Sequence, residues 1–224
     1  AAEFFQRGAA KHWIHEFAGA ETDLTRAVSI HPANATYLYH RGRNRIFAGK
    51  LKEAQDDLKK AVGVDPKDGL IGLTLGDAYY LDGAWFEAIR AYKKAGETDP
   101  TVEDAGRLRS WRAQTRAGEK DAAVADLQEW LKKRKAPAED GEFKRVSSFF
   151  AGASTEELFL QGIDGGDGRR ILELRCRMYY DAGVKRLIAG DPATAKVYFN
   201  KAVETDVKDQ IAHAFASAEL APKK

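Results

Sequence analysis

Apolar residues recur along most of the chain at steps of three and four positions, which is the spacing of an amphipathic α-helix. Ile71, Leu75 and Ala78 fall on one such face, and Ile89 and Tyr92 continue the pattern in the next segment. Polar residues occupy the other faces, so each segment has one side to bury. Because one helix pair cannot cover its own apolar face, the pattern predicts helix pairs stacked in an array.

Five columns of residues repeat every 34 positions in the first part of the chain. The columns are Gly8/Gly42/Gly76, Ala20/Ala54/Ala88, Leu24/Leu58/Tyr92, Ala27/Ala61/Ala95 and Pro32/Pro66/Pro100. Small residues on facing helices let two backbones approach closely, and the prolines end the second helix of each pair. Gly49 and Gly83 lie between the two helices of a pair, where a left-handed glycine is favoured.

These columns resemble the tetratricopeptide repeat (TPR), a family of helix-hairpin repeats. The third unit fits the family pattern best, with Leu75, Gly76, Tyr79, Ala88, Tyr92, Ala95 and Pro100. In the first two units a basic residue replaces the usual leucine or tyrosine, at Arg7, Lys11, Arg41 and Arg45. The resemblance implies an all-α fold, a right-handed α-solenoid of helix hairpins, and a role in binding other proteins.

The repeat predicts an N-terminal array over residues 1–136. Its units are 1–34, 35–68, 69–102 and a degenerate unit 103–136, in which Trp111 replaces the column glycine. The period breaks in an irregular helical segment, 137–170. There Ser154 and Glu157 are spaced as in a capping box at a helix start, and we interpret 164–168 as a flexible connector.

The repeat returns in the last region, 171–224. Its column residues are Gly183, Ala195, Phe199 and Ala202, and Pro192 suits the first position of a helix. A final helix over about 208–220 is expected to cover the open apolar end as a cap.

This layout also resembles the NlpI family of bacterial outer-membrane lipoproteins, most clearly in residues 146–158 and 179–206. The resemblance implies a periplasmic or outer-membrane-associated adaptor whose partners are cell-wall hydrolases or a protease; a cytoplasmic location is the alternative. The lipid-bearing cysteine of that family is not at the start of this sequence, and Cys176 lies in a predicted helix. Lipid anchoring therefore does not follow from the resemblance.

In arrays of this kind the first helices of successive pairs line a concave groove, and helical geometry places unit positions 5, 9, 12 and 13 there. The predicted groove residues are Phe5, His12, Trp13, Tyr39, Arg43, Phe47, Asp77, Tyr80, Arg112 and Arg116. Aromatic and arginine side chains are enriched at binding hot spots. We therefore expect a protein or peptide partner in the groove. The alternatives are that these rings only pack between units, or that an exposed face forms a homodimer.

The 224 residues carry a formal net charge of +2, too small to indicate a polyanionic partner. The basic region 107–135 is a local exception and makes binding to nucleic acid or an anionic surface an alternative function. The sequence has no uninterrupted apolar run of about eighteen residues, as a membrane-spanning helix needs. Its single cysteine excludes an intramolecular disulfide.

No recognised pattern of catalytic or metal-binding residues occurs in the sequence. His12, His15 and Glu16 are neighbours, but His15 is off the shared helix face and no HExxH or paired CxxC motif accompanies them. Acidic pairs such as Asp56 and Asp57 point to different helix faces. We therefore predict no metal, no cofactor and no enzyme activity; an unrecognised catalytic site in 137–168 is the alternative.

Overall fold

A computed structural model describes residues 1–134, 141–163 and 168–222. Within these ranges the chain forms thirteen α-helices and one short 3-10 helix, and no β-strand. The all-α prediction is confirmed. Contacts divide the chain into two compact units, residues 1–113 and 114–224. This division lies within the seventh helix, whereas the sequence-based boundary was placed at 136/137.

The first unit is a series of helix hairpins. Each first helix packs against the second helix of its own pair, and that second helix packs against the first helix of the next pair. The helices are α1 (Ala2–Trp13), α2 (Phe17–Ile30), α3 (Ala35–Phe47), α4 (Leu51–Val64), α5 (Gly69–Leu81) and α6 (Trp85–Thr98), then a 3-10 helix (Pro100–Val102) and α7 (Glu103–Arg116), whose last turn belongs to the second unit.

The glycine column and the bulky column meet at the centre of each hairpin. A Cβ atom on Gly42 would lie 2.8 Å from Leu58 Cγ, and one on Gly76 would lie 2.4 Å from the Tyr92 ring. Leu58 and Tyr92 are both buried. Because these distances leave no room for a side chain, the column glycine sets how closely the paired helices approach.

The turns follow the predicted glycine and proline positions. Gly49 and Gly83 have φ angles of 73° and 76°, in the left-handed region that glycine adopts without steric strain. His15 occupies the same column in the first hairpin and also has a positive φ, 63°. Helices α2, α4 and α6 each end two residues before a column proline. The sequence thus marks both ends of these helices.

The second unit contains a hairpin built in the same way. The helices of the whole unit are α8 (Lys120–Lys133), α9 (Gly141–Phe150), α10 (Glu156–Leu160), α11 (Arg169–Ile188), α12 (Pro192–Glu204) and α13 (Ile211–Leu220). The hairpin consists of α11 and α12. A Cβ atom on Gly183 of α11 would lie 2.5 Å from the Phe199 ring of α12, and α13 packs on both helices. The terminal helix starts at Ile211, later than predicted, because a turn comes before it, in which the Gln210 N–H donates to the Val207 carbonyl at 2.9 Å.

The described part of the irregular segment is packed around aromatic rings. The Phe149 and Phe159 rings stack with centroids 4.0 Å apart, and Phe150 is buried beside them. Helix α10 begins one residue later than the predicted capping box, because Thr155 is extended and its hydroxyl accepts a hydrogen bond from the Leu158 N–H at 3.3 Å. The predicted helix start is therefore confirmed to within one residue, but Thr155 rather than Ser154 is its N-cap. Residues 164–167 of the predicted connector lie outside the described residues.

Candidate partner-binding surface

Apart from Arg112 on α7, the predicted groove residues of the first unit lie on neighbouring first helices, α1, α3 and α5. We refer to unit positions 5, 9, 12 and 13 of these helices as the first-helix face; they are Phe5, Ala9, His12, Trp13, Tyr39, Arg43, Ile46, Phe47, Leu73, Asp77, Tyr80 and Leu81. Exposure varies across the face. Trp13 is 51% exposed, Phe5, Tyr39 and Arg43 are half-buried, and several others are buried.

A layered aromatic cluster lies at the end of α1 and α3. The Arg43 guanidinium carbon lies 4.9 Å from the centroid of the Trp13 ring and 5.7 Å from that of Phe47. Behind them, His12 meets the edge of Phe47 at 5.3 Å and its Nδ1 is 3.1 Å from Asn44 Oδ1. The buried contacts hold the Phe47 ring in place, so the cation and the exposed Trp13 ring are presented together.

A second aromatic group lies nearer the start of the same helices. The Phe5 ring stacks on Tyr37 at 4.9 Å and meets the edge of His40 at 4.9 Å, and His40 contacts Tyr39 at 5.1 Å. Burial, with Arg43 nearby, lowers the pKa of His40 to about 4, so its ring is neutral at physiological pH. The sequence analysis did not predict Tyr37 and His40 as groove residues. Both belong to a run of aromatic residues, but neither lies at unit position 5, 9, 12 or 13.

Three predicted groove residues have buried side chains. His12, Asp77 and Tyr80 are each at most 4% exposed. Asp77 accepts a hydrogen bond from the Tyr92 hydroxyl at 2.9 Å and lies 3.2 Å from Arg109. Burial raises the pKa of the Asp77 carboxyl. These buried side chains lie beneath the face and position its more exposed residues.

The two predicted groove arginines of α7 lie in different units. Arg112 is half-buried in the first unit. Its positive charge lies near Asp77 and opposes the rise in the Asp77 pKa that burial causes. Arg116 pairs with Glu219 of α13 at 2.7 Å within the second unit. The structure therefore brings Arg112 near Asp77 of the first-helix face and pairs Arg116 within the second unit.

Several of the described basic residues of 107–134 contact acidic or aromatic groups of the same chain. Arg107 lies 3.3 Å from Glu103, and Lys133 lies 2.9 Å from Glu129. The Arg134 guanidinium lies 4.2 Å from the centroid of the Phe143 ring. These contacts partly neutralise the positive charge on which the nucleic-acid alternative rests. Lys135 lies outside the described residues.

In the described part of the chain, no group of three or more His, Cys, Asp or Glu side chains is arranged to hold a metal ion. His15 serves as a turn residue. Cys176 is buried, and that burial raises its thiol pKa to about 11, which opposes formation of the nucleophilic thiolate. Among the described helices, none is both long enough and apolar enough to cross a bilayer.

Part of the chain matches a known repeat family. The family model described as "Tetratricopeptide repeat" matches residues 35–68, the stretch that contains α3 and α4. The small glutamine-rich tetratricopeptide repeat-containing protein 2 of Mycosarcoma maydis is 35% identical over 78 residues. That alignment covers 35% of this chain and 22% of the relative's length.

Solved structures share the fold at low sequence identity. PilW, described as a widely conserved type IV pilus biogenesis factor, has a TM-score of 0.57 and 15% identity, over 91% of this chain and 92% of its own. YrrB, described as a TPR protein with an unusual peptide-binding site, has a TM-score of 0.51 and 15% identity, over 94% and 88%. These likenesses show that the chain has the fold of TPR solenoid proteins.

Proposed function

We propose that this chain, which has a TPR-type fold and a matching repeat at 35–68, is a non-catalytic adaptor that binds a segment of a partner protein on its first-helix face. The general role as a protein-interaction scaffold is supported by the fold and the matching repeat. The groove, the binding residues and the form of the partner, a helix or an extended peptide, are parts of the proposal.

The observation that carries the proposal is the layer of Trp13, Arg43 and Phe47 at the end of α1 and α3. Trp13 is half exposed although its ring meets the buried His12 ring. A tryptophan so placed offers a large apolar area to a partner, and Arg43 supplies a charged donor next to it. Such combinations dominate the binding energy of many interfaces.

The NlpI-like role, with cell-wall hydrolases or a protease as partners in the bacterial envelope, is a narrower form of this proposal. It rests on the sequence resemblance in residues 146–158 and 179–206. The basic region is less favoured as the binding surface, because its described cations contact acids and rings of the same chain.

The test begins with peptides selected from a random displayed library on the immobilised full chain. Their affinities are then measured by calorimetry for the unmodified protein and for Trp13→Ala and Arg43→Ala. We expect Trp13→Ala to weaken binding by about 2 kcal/mol, roughly thirtyfold, because it removes the exposed anchor. Arg43→Ala should weaken it less.

Phe86→Ala is the matched control, since Phe86 is also an exposed aromatic residue but lies on the second helix α6. Its affinity for the selected peptides should be unchanged. Circular dichroism establishes that all three variants remain folded. If the peptides bind the Trp13→Ala and Phe86→Ala variants with equal affinity, the first-helix face is not their binding site.

A further inference from the structure

An open slot lies in the first unit, where α4, α5 and α6 meet. Its cavity volume is about 60 Å³. Val62 of α4, Leu75 of α5 and Ala91 of α6 line it, and Gly72 and Ala95 add no bulk. The slot is thus an apolar recess. It lies between α5 and the second helices α4 and α6, and its lining residues are not those of the first-helix face.

The second hairpin fills the corresponding place with its own ion pair. Arg41 donates two hydrogen bonds of 2.7 Å to Asp57, and Arg45 donates a third of 2.7 Å to the same carboxylate. One repeat later, the positions of Arg41 and Asp57 are taken by Leu75 and Ala91. Two apolar side chains therefore replace a salt-bridged pair.

A second column contributes to the same difference. Leu38 is buried in the second hairpin, at 1% exposure, and Gly72 occupies its column in the third. Gly72 lies directly against α6, since a Cβ atom on it would be 2.9 Å from the Ala95 Cβ. The third hairpin thus has smaller side chains at two places around the recess.

One exposed lysine, Lys94, lines the recess. Asp68, the acidic residue of the lining, already caps α5 by accepting two backbone N–H bonds. An apolar recess beside an exposed ammonium group is complementary to an apolar side chain whose neighbour carries a carboxylate.

We propose that this slot is a second docking site, independent of the first-helix face, and that it binds one aliphatic side chain from an acidic segment of a partner protein. The aliphatic group lies against Val62, Leu75 and Ala91. A carboxylate next to it in the segment meets Lys94.

The probes are acetylated and amidated pentapeptides in which leucine or asparagine is flanked by two glutamates on each side. A third peptide keeps leucine and replaces the glutamates with glutamines. Binding to the full chain is followed through the methyl resonances of Val62 and Leu75. We expect saturable shifts at both residues with the acidic leucine peptide, and roughly tenfold weaker binding of each of the other two.

The decisive variant is Leu75→Arg combined with Ala91→Asp, which restores the ion pair of the second hairpin. It should fold, as shown by circular dichroism, and bind the leucine peptide at least about tenfold more weakly. Ala91→Leu, which fills the slot without charge, gives the same test if the double variant does not fold. Trp13→Ala should bind the peptide normally, which separates this site from the proposed function.

The proposal is overturned if the leucine peptide causes no saturable shift at Val62 and Leu75, or if filling the slot leaves its affinity unchanged. It is also overturned if the asparagine peptide binds equally well, because the apolar recess would then contribute nothing. Loss of binding in Trp13→Ala alone would assign the peptide to the first-helix face instead.

Discussion

At the scale of single residues, the departures from the usual TPR pattern are explained by paired charges. Asp23 of α2 accepts hydrogen bonds of 2.5–2.8 Å from Arg7 and Lys11 of α1. Asp57 receives the corresponding bonds one repeat later. In the third hairpin, where leucine and tyrosine return, the acid is replaced by Ala91. The basic residues and the acid therefore form one repeating unit, which the sequence columns alone did not reveal.

Asp57→Ala should destabilise the protein more than Asp23→Ala. The Arg41 side chain is only 13% exposed, so the change leaves its guanidinium poorly solvated and without its carboxylate, at a cost of about 3 kcal/mol, while Arg45 keeps Glu21 at 2.8 Å. Arg7 and Lys11, the partners of Asp23, are 61% and 30% exposed and remain hydrated. Urea denaturation of the two variants measures the difference. Equal losses would contradict the role given to burial.

Gly76→Ala should lower the free energy of unfolding by about 1–3 kcal/mol, because its Cβ would lie 2.4 Å from the buried Tyr92 ring. Gly63→Ala is the matched control, since Gly63 also lies in a helix but has no atom within 4 Å of an added Cβ. It should stabilise the protein by about 0.5–1 kcal/mol. Similar effects of both changes in urea denaturation would show that close helix approach is not the reason for the glycine column.

At the scale of helices, the three N-terminal hairpins could be predicted because their ends carry local signals. A column proline follows α2, α4 and α6 at a constant distance, and a positive-φ residue separates the helices of each pair. Helices α9 and α10 have no such period. Their packing depends on Phe149 stacking on Phe159, a contact that follows from the fold rather than from a repeat.

The candidate surface was predictable in position but not in exposure. Helical spacing placed Trp13 and Arg43 on a common face, and in the structure they are in contact. The same spacing could not show that Asn44 and Phe17 enclose His12, or that Trp85 lies against Tyr80, because those neighbours come from other helices.

Helix α10 is anchored by one carboxylate. Glu156 accepts two hydrogen bonds from Arg186 of α11, at 2.7 and 2.8 Å, and one of 2.7 Å from the Tyr198 hydroxyl of α12. These bonds, chiefly those from Arg186, lower the pKa of Glu156 below its ordinary value. Its stabilising contribution is therefore complete above the unfolded-state pKa of about 4.3 and is lost as pH falls through the lower folded-state pKa.

Glu156→Gln should consequently be less stable than the unmodified protein at pH 7, and the difference should shrink as the pH falls below about 4. Urea denaturation at pH 7 and at about pH 3 measures it. Glu157→Gln is the control, because Glu157 is exposed on the same helix; it should have little effect at either pH. A Glu156 difference that does not change with pH would contradict the anchoring role.

At the scale of the whole molecule, the first unit carries both of the docking surfaces proposed for partner segments. The first-helix face carries aromatic rings and Arg43, and the slot among α4, α5 and α6 is an apolar recess beside Lys94. A partner that reaches both would bind the second site intramolecularly, and its affinity would exceed that of either segment alone. This arrangement suits an adaptor, since small changes in a repeated hairpin create distinct sites without altering the fold.

The central claim, that a partner segment docks on the first-helix face, is tested most directly by fluorine NMR of protein labelled with 5-fluorotryptophan. The chain has four tryptophans; Trp13 is exposed, whereas Trp111 and Trp130 are buried. Single substitutions assign the four resonances. On addition of a peptide selected on the full chain, we predict a saturable shift of the Trp13 resonance with little change in those of Trp111 and Trp130. A bound peptide that leaves Trp13 unshifted would contradict the account.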